Sequence, residues 1–459
     1  MCGFVGFVGG TDNQSEVLTK MMDRIVHRGP DMGGQFIDGR VALGFRRLSI
    51  LDLTEAGAQP MANEDGSVVI VFNGEIYNFQ ELRSELEAKG YKFHCGADTE
   101  SLLHGYEEWG EAVLDRLRGM YAFVIWDKKK NKLFGARDIF GIKPLYYYPM
   151  ADAGDGAPGV LFGSEIKSFL DYPHFHKAVN KKALRPYMTL QYSATEETFF
   201  EGVYKLPPAH YFTVDIPTGK MNIERYWDCD YSAVEKPFEE YVDELDEVVH
   251  ESVEAHRIAD VKVASFLSGG VDSSYIAACL MPDKTFSVGF DYKNFNETNY
   301  AKELSDKLGV ENVRKMITAD EFFGALEDIQ YHMDEPQSNL SSVPLWFLAE
   351  MARKDVTVVL SGEGADELFG GYATTRTRFR CANTKRWCRC PFAARSVTWR
   401  CICRTSRAIT SWSRVPRSPR SRSWDRLWYG RSARSTACSS PSTTPAMAPS
   451  SLPLPSMRA

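Results

Sequence analysis

The sequence changes character once, sharply, after Tyr372. From Ala373 to Ala459 there are 17 Arg, one Lys (Lys385), one acidic residue (Asp425) and no His. Residues 1–372 hold 36 Lys and Arg against 60 Asp and Glu, so the formal net charge of −7 divides into −24 before the break and +17 after it. Cysteine divides with it: Cys2, Cys95, Cys229 and Cys279 precede the break and six follow it. The last segment is rich in Arg, Ser, Pro, Cys and Trp and has no helical period. Without a repeating apolar face a segment cannot bury enough surface to offset the entropy of ordering. A packed fold is therefore expected in residues 1–372, and an irregular, unfolded tail in 373–459.

A chain of 459 residues suggests two or three domains. No apolar run approaches the ~18 residues that span a bilayer. The opening MCGFVGFVGG has no basic segment ahead of its short apolar run, which excludes a signal peptide. The chain reads as cytoplasmic, where thiols stay reduced.

Residues 1–208 read as strand-rich. Val68–Phe72 is an apolar run expected to end in a turn at Asn73-Gly74, and Tyr121–Trp126 and Lys132–Ala136 flank a polar hairpin loop. Phe79–Lys89 and Thr99–Trp109 have helical spacing, with Thr99 as the expected cap and Gly90 and Gly110 as stops. This mixture predicts an α+β layered sandwich. Leu206-Pro207-Pro208 marks its edge, and 209–240 reads as a connector with one further strand. Over 241–372 the pattern becomes strand, Gly-rich turn, helix: Val261–Leu267 into Ser273–Leu280, Thr285–Phe290 into Thr298–Leu308, then Val356–Leu360 into a second Gly-rich turn. Such units predict an α/β domain with a parallel sheet and its ligand at the carboxyl ends of the strands.

Cys2 becomes the first residue if Met1 is removed, and then carries both a thiol and a free α-amine. That amine has a reference pKa near 7.7–8.0, so one residue supplies nucleophile and base. A second-position cysteine alone is weak testimony, but five blocks accompany one another in order: Cys2-Gly-Phe-Val-Gly6, His27-Arg-Gly-Pro-Asp31, Arg47-Leu-Ser-Ile50, Asn73-Gly-Glu-Ile-Tyr-Asn78 and Asp98-Thr-Glu100. Singly, Asn73-Gly74 is a hairpin turn, Glu75 and Asp98 are solvated carboxylates, and His27 and Arg28 shape a pocket wall. Together the blocks resemble the class II, N-terminal-nucleophile glutamine amidotransferases. The resemblance implies glutamine held along Arg47, Leu48, Ser49, Ile50 and Leu51. Arg47 would grip its carboxylate, Glu75 and Asp98 its ammonium, and Asn73 and the Gly74 N–H the tetrahedral oxyanion.

Ser268-Gly-Gly-Val-Asp-Ser-Ser274 follows a strand and opens a helix, so successive N–H groups can form an anion nest at a helix N-terminus. It lacks the Gly-Lys-Ser/Thr ending of the P-loop. It resembles the pyrophosphate-loop ATPases instead, with Ser361-Gly-Glu-Gly-Ala-Asp-Glu367 as the facing loop. On that resemblance Leu267, Ser268, Gly269, Gly270, Asp272, Ser273, Val288, Ser361 and Gly362 contact ATP. Asp272 and Asp366 hold Mg²⁺, and Glu363 is the base for incoming ammonia. Leu267 and Val288 are equally well read as core, and Asp334-Glu-Pro336 as either an acceptor-pocket wall or a helix end. Glutaminase and ATPase in tandem resemble the glutamine-hydrolysing asparagine synthetases over residues 1–372. That implies glutamine, aspartate and ATP as substrates, and a homodimer. Other acceptor carboxylates, or a glutaminase-only or regulatory remnant, remain open. One departure is Pro207-Pro-Ala209, where the family has glycine third.

For the tail three readings compete. Its charge would attract nucleic acid, and Cys388-Arg-Cys390 with Cys401-Ile-Cys403 offers thiols to zinc, though C-x-C is not the usual zinc spacing. Out-of-frame translation explains best why composition shifts at one point inside a domain. It predicts a synthetase half short of its covering helices, and slow.

Overall fold

Two six-stranded antiparallel sheets are built from strands drawn from residues 3–225. This is a computed structural model that describes residues 1–230, 232, 234–291 and 296–372; the expectations for the tail lie outside the described residues. The first sheet runs Tyr204–Lys205, Tyr146–Met150, Gly159–Gly163, Gly3–Val8, Val41–Arg47, Met32–Asp38. The second runs Lys220–Arg225, His210–Asp215, Lys132–Arg137, Gly119–Asp127, Val68–Ile76, Met61–Ala62.

The strand period of two explains how the layers stack. Phe4 and Val8 of one sheet meet Val69, Val71 and Val124 of the other in a shared core. Their neighbours Val5 and Phe7 face outward onto Leu18, Met21 and Met22 of the helix Gln14–Asp23. Ile70 and Phe72 likewise meet Leu82 and Leu102 from the helices Phe79–Ala88 and Asp98–Trp109. Both faces of each central strand are covered, which is why these strands read as continuous apolar runs rather than alternating ones.

Three local expectations change. The strand Val68–Ile76 runs straight through Asn73-Gly74, pairing Asn73 with Ala122 and Gly74 with Tyr121, so no turn forms there. The glycine is needed for closeness instead: a Cβ on Gly74 would lie 2.3 Å from the Met120 carbonyl. The second helix starts at Asp98 with Ala97 as its N-cap, and Thr99 spends its hydroxyl on Gln59 Nε2 at 3.1 Å. Residues expected as connector form two strands, because His210–Asp215 pairs with Lys132–Arg137 and carries Lys220–Arg225 along.

The second domain has a four-stranded parallel sheet in the order Glu311–Ile317, Lys284–Phe290, Val263–Phe266, Val358–Leu360. Its first strand in that order was not expected: ENVRKMI is an edge strand with polar alternate residues. The helix Phe238–His256 precedes the sheet. Chain order reverses between Val263–Phe266 and Val358–Leu360, and Ser265 registers with Leu360, so the two Gly-rich loops leave the sheet side by side. No helix among the described residues is long and apolar enough to cross a membrane.

Candidate active sites

Gly3 pairs with Arg46, so the start of the first strand lies against the end of Val41–Arg47 and Cys2 reaches the segment after Arg47. The Leu48 N–H donates to Cys2 Sγ and the thiol faces the Leu48 carbonyl, both at 3.4 Å. A cleft opens there, lined by Cys2, Arg47, Leu48, Ile50, Leu51, Gly74, Glu75 and Asp98. Gly57, Gln59, Phe72, Ala97 and Thr99 line it as well; of these the sequence singled out Thr99 alone, and as a helix cap. Ser49 stands outside, its N–H bound to Asp31 at 2.9 Å. Asn73 is buried beside Gly74, and its Nδ2 has no hydrogen-bond partner among the described residues.

The charges are arranged unevenly. Arg47 is almost wholly buried and, among the described residues, donates to backbone carbonyls of Leu51, Asp52 and Thr54 and to the Met32 sulfur. Burial and the nearby Asp98 push Glu75 well above the usual carboxylate range. Burial pushes Asp98 up to about 6, against the pull of the Ile76 N–H that donates to it at 2.8 Å. Two buried carboxylates that resist ionisation side by side make a receptor for a cation. Burial also raises the Cys2 thiol, and lowers the chain's amine, here on Met1, to about 6. A protonated thiol therefore sits close to an amine that is neutral at pH 7. Lys143, buried and lowered to about 8 by that burial, faces Glu75 and Cys2. Nothing in Gly141-Ile-Lys-Pro144 announced it, since burial of a lysine is set by tertiary packing.

In the second domain Ser268 Oγ lies 3.0 Å from Ser273 Oγ and accepts from the Gly270 N–H at 3.2 Å. Gly269 has φ +88° and Gly270 caps the helix Val271–Leu280, with Asp272 exposed in its first turn. A Cβ on Gly362 would lie 2.8 Å from the Ser273 nitrogen, so the two loops touch. Ser361 and Glu363 are exposed, and Asp366 lies in the first turn of Ala365–Phe369. The side chains of Leu267 and Val288 pack into apolar clusters, with Ala277 and Ala301 and with Ile317 and Phe347 respectively. Asp334 and Glu335, read as an acceptor wall or helix end, turn their carboxylates toward the first domain.

Comparison with known proteins bears on both halves. The glutamine amidotransferase domain profile matches residues 1–227 and the asparagine synthase profile residues 244–453. The putative asparagine synthetase [glutamine-hydrolyzing] 2 of Methanocaldococcus jannaschii is 34% identical over 408 residues, 83% of this chain and 77% of that one. The chain belongs to the asparagine synthetase family. Within it, asparagine synthetase [glutamine-hydrolyzing] 1 of Bacillus subtilis strain 168 is 45% identical over 381 residues, 81% of this chain and 59% of its own length. A putative asparagine synthetase [glutamine-hydrolyzing] of Mycobacterium tuberculosis H37Rv is 39% identical over 405 residues, 82% and 61%. This chain thus spans about 60% of the length of these two relatives. The asparagine synthase match runs to residue 453, into the segment the sequence reading placed outside the family. The family's two-part architecture is the one described above: an antiparallel N-terminal-nucleophile sandwich and a parallel-sheet ATPase domain.

Proposed function

We propose that this chain hydrolyses glutamine at Cys2 and passes the ammonia to an aspartate activated by ATP, giving asparagine, glutamate, AMP and pyrophosphate. The observation that carries this reading is the convergence of Cys2, Arg47, Glu75 and Asp98 on one cleft. With Met1 removed, the Cys2 amine takes the thiol proton and Sγ attacks the glutamine amide carbon. Asn73 Nδ2 and the Gly74 N–H receive the oxyanion. The Cys2 ammonium returns that proton to the leaving nitrogen as collapse expels ammonia and leaves a thioester; water, giving a proton to the same amine, then cleaves it to glutamate, and that proton restores the thiol. Arg47 holds the substrate carboxylate, Glu75 and Asp98 its ammonium, and Leu48, Ile50 and Leu51 its side.

In the second domain Ser268, Gly269, Gly270, Ser273, Ser361 and Gly362 suit the phosphates of ATP, because the loops are bare of Cβ where a phosphate must approach. Leu267 and Val288 offer strand-end backbone to the adenine. The hard oxygens of Asp272 and Asp366 suit Mg²⁺, which when bound would neutralise phosphate charge. Glu363 serves in this reading as the base that accepts a proton from the incoming ammonia.

Purified protein should release glutamate from glutamine, and Cys2→Ala should lower that rate by at least about 10³-fold. Pyrophosphate release that requires aspartate would support the acceptor assignment; release with another carboxylate instead would replace it. The change of sequence at Tyr372 favours a second reading, glutamine turnover without asparagine, and the same assay separates the two.

A further inference from the structure

A chain of buried charges leads from the nucleophile into the second domain. Arg28 Nε donates to the Cys2 carbonyl at 2.9 Å, and its Nη1 donates to Glu165 at 2.9 Å. Glu165 also faces His27 Nε2 at 2.9 Å and the Lys167 ammonium. Lys167 is 3% exposed and bridges onward to Asp334 Oδ1 at 2.9 Å, while the Ile166 N–H donates to Asp334 Oδ2 at 2.6 Å. Asp334 has φ +60° and ψ −42°, a conformation non-glycine residues adopt only when their surroundings impose it. Those two contacts are the imposition. A second ion pair between the domains, Lys205 with Glu335 at 3.2 Å, makes no such connection to Cys2.

Each link matters to the next. Glu165 is shared between two cations, Arg28 and Lys167, beside the His27 imidazole, so moving Lys167 changes how tightly it holds Arg28, and Arg28 holds the backbone of Cys2. We propose that Asp334 is a positioning residue for the glutaminase: through Lys167, Glu165 and Arg28 it sets the geometry of Cys2 from the other domain. The inference rests on the glutaminase reading of Cys2. It makes glutamine turnover sensitive to the placement of the 334–336 segment, and so gives the second domain a physical handle on the first.

The test uses the full chain and measures glutamate release, with active sites counted by a glutamine-like alkylating reagent. Asp334→Asn should lower kcat about fivefold with KM for glutamine within about twofold, the same number of alkylated thiols, and a shared effect with Lys167→Met, so that the double variant is no slower than the slower single one. Lys167→Arg should recover most of the rate lost in Lys167→Met, since it keeps the bridge. Lys205→Met should leave kcat unchanged. Wild-type kcat in Asp334→Asn, a loss explained wholly by fewer alkylated thiols, or an equal loss in Lys205→Met would each overturn the inference while leaving the glutaminase reading intact. No glutamate release from the wild-type chain would overturn both.

Discussion

At the scale of single residues the glutaminase cleft trades stability for binding. Asn73 buries a donor with no partner, an arrangement that costs about 1–3 kcal/mol until an acceptor arrives. Asn73→Ala is therefore expected to lower kcat for glutamine hydrolysis by about 10²–10³-fold with a smaller effect on KM, read from glutamate release. Asp98 makes the same trade with charge. Its folded pKa is raised to about 6 by burial, above its unfolded value, so ionising it costs folding free energy. That cost grows between about pH 4 and pH 6 and is fully present above. Asp98→Asn should melt a few degrees higher than wild type at pH 7.5, with the advantage vanishing as the pH falls to about 4. It should also raise KM for glutamine by about 10- to 100-fold. A lower melting temperature at pH 7.5 would refute the account. Ala209, the family departure, has φ +58°. Replacing it with Gly relieves about 1–2 kcal/mol of left-handed strain but forfeits about 0.8 kcal/mol of methyl burial and about 0.5–1 kcal/mol of unfolded-state restriction. The terms nearly cancel, so a stability change within about 1 kcal/mol is expected in urea titration, which explains why alanine is tolerated.

At the scale of elements the loop Ser268–Ser273 depends on a backbone that side chains would spoil. A Cβ on Gly269 would lie 2.9 Å from the Glu297 carbonyl in addition to sitting at positive φ. Gly269→Ala should weaken ATP binding by about tenfold or more while circular dichroism stays unchanged; calorimetric titration with ATP reads the first. The elements also show what the sequence made legible. Cys2, Arg47, Glu75 and Asp98 stood out because their residue types and order have no packing explanation, and the structure brings them together. Strands covered on both faces announce themselves as apolar runs, whereas the edge strand Glu311–Ile317, half exposed, does not. Asn73-Gly74 misled because a glycine admitted for close approach to Met120 looks the same in sequence as one admitted for a turn. Lys167 and Asp334 meet across 167 positions of chain, a proximity that local pattern cannot encode.

At the scale of the molecule the two domains are unequally provided for. The first buries both faces of the central strands of two six-stranded sheets. The second has four strands, and its helix Phe238–His256 leaves Phe238, Tyr241, Val242, Leu245 and Val248 exposed, as Leu368 and Phe369 are near residue 372. Apolar faces of this kind need cover to be stable, and the tail that follows has the composition least suited to giving it. Calorimetry should resolve two transitions, the lower one abolishing ATP binding and the higher one abolishing alkylation of Cys2. Because Asp334 reaches Cys2 through Lys167 and Glu165, glutamate release should slow at the first transition without stopping. Below both transitions, the ratio of asparagine formed to glutamate released should stay clearly below one even with saturating aspartate and ATP. A ratio near one would show the full chain to be a working synthetase, in keeping with a family match that runs to residue 453, and the composition break at Tyr372 would then be no bar to asparagine synthesis.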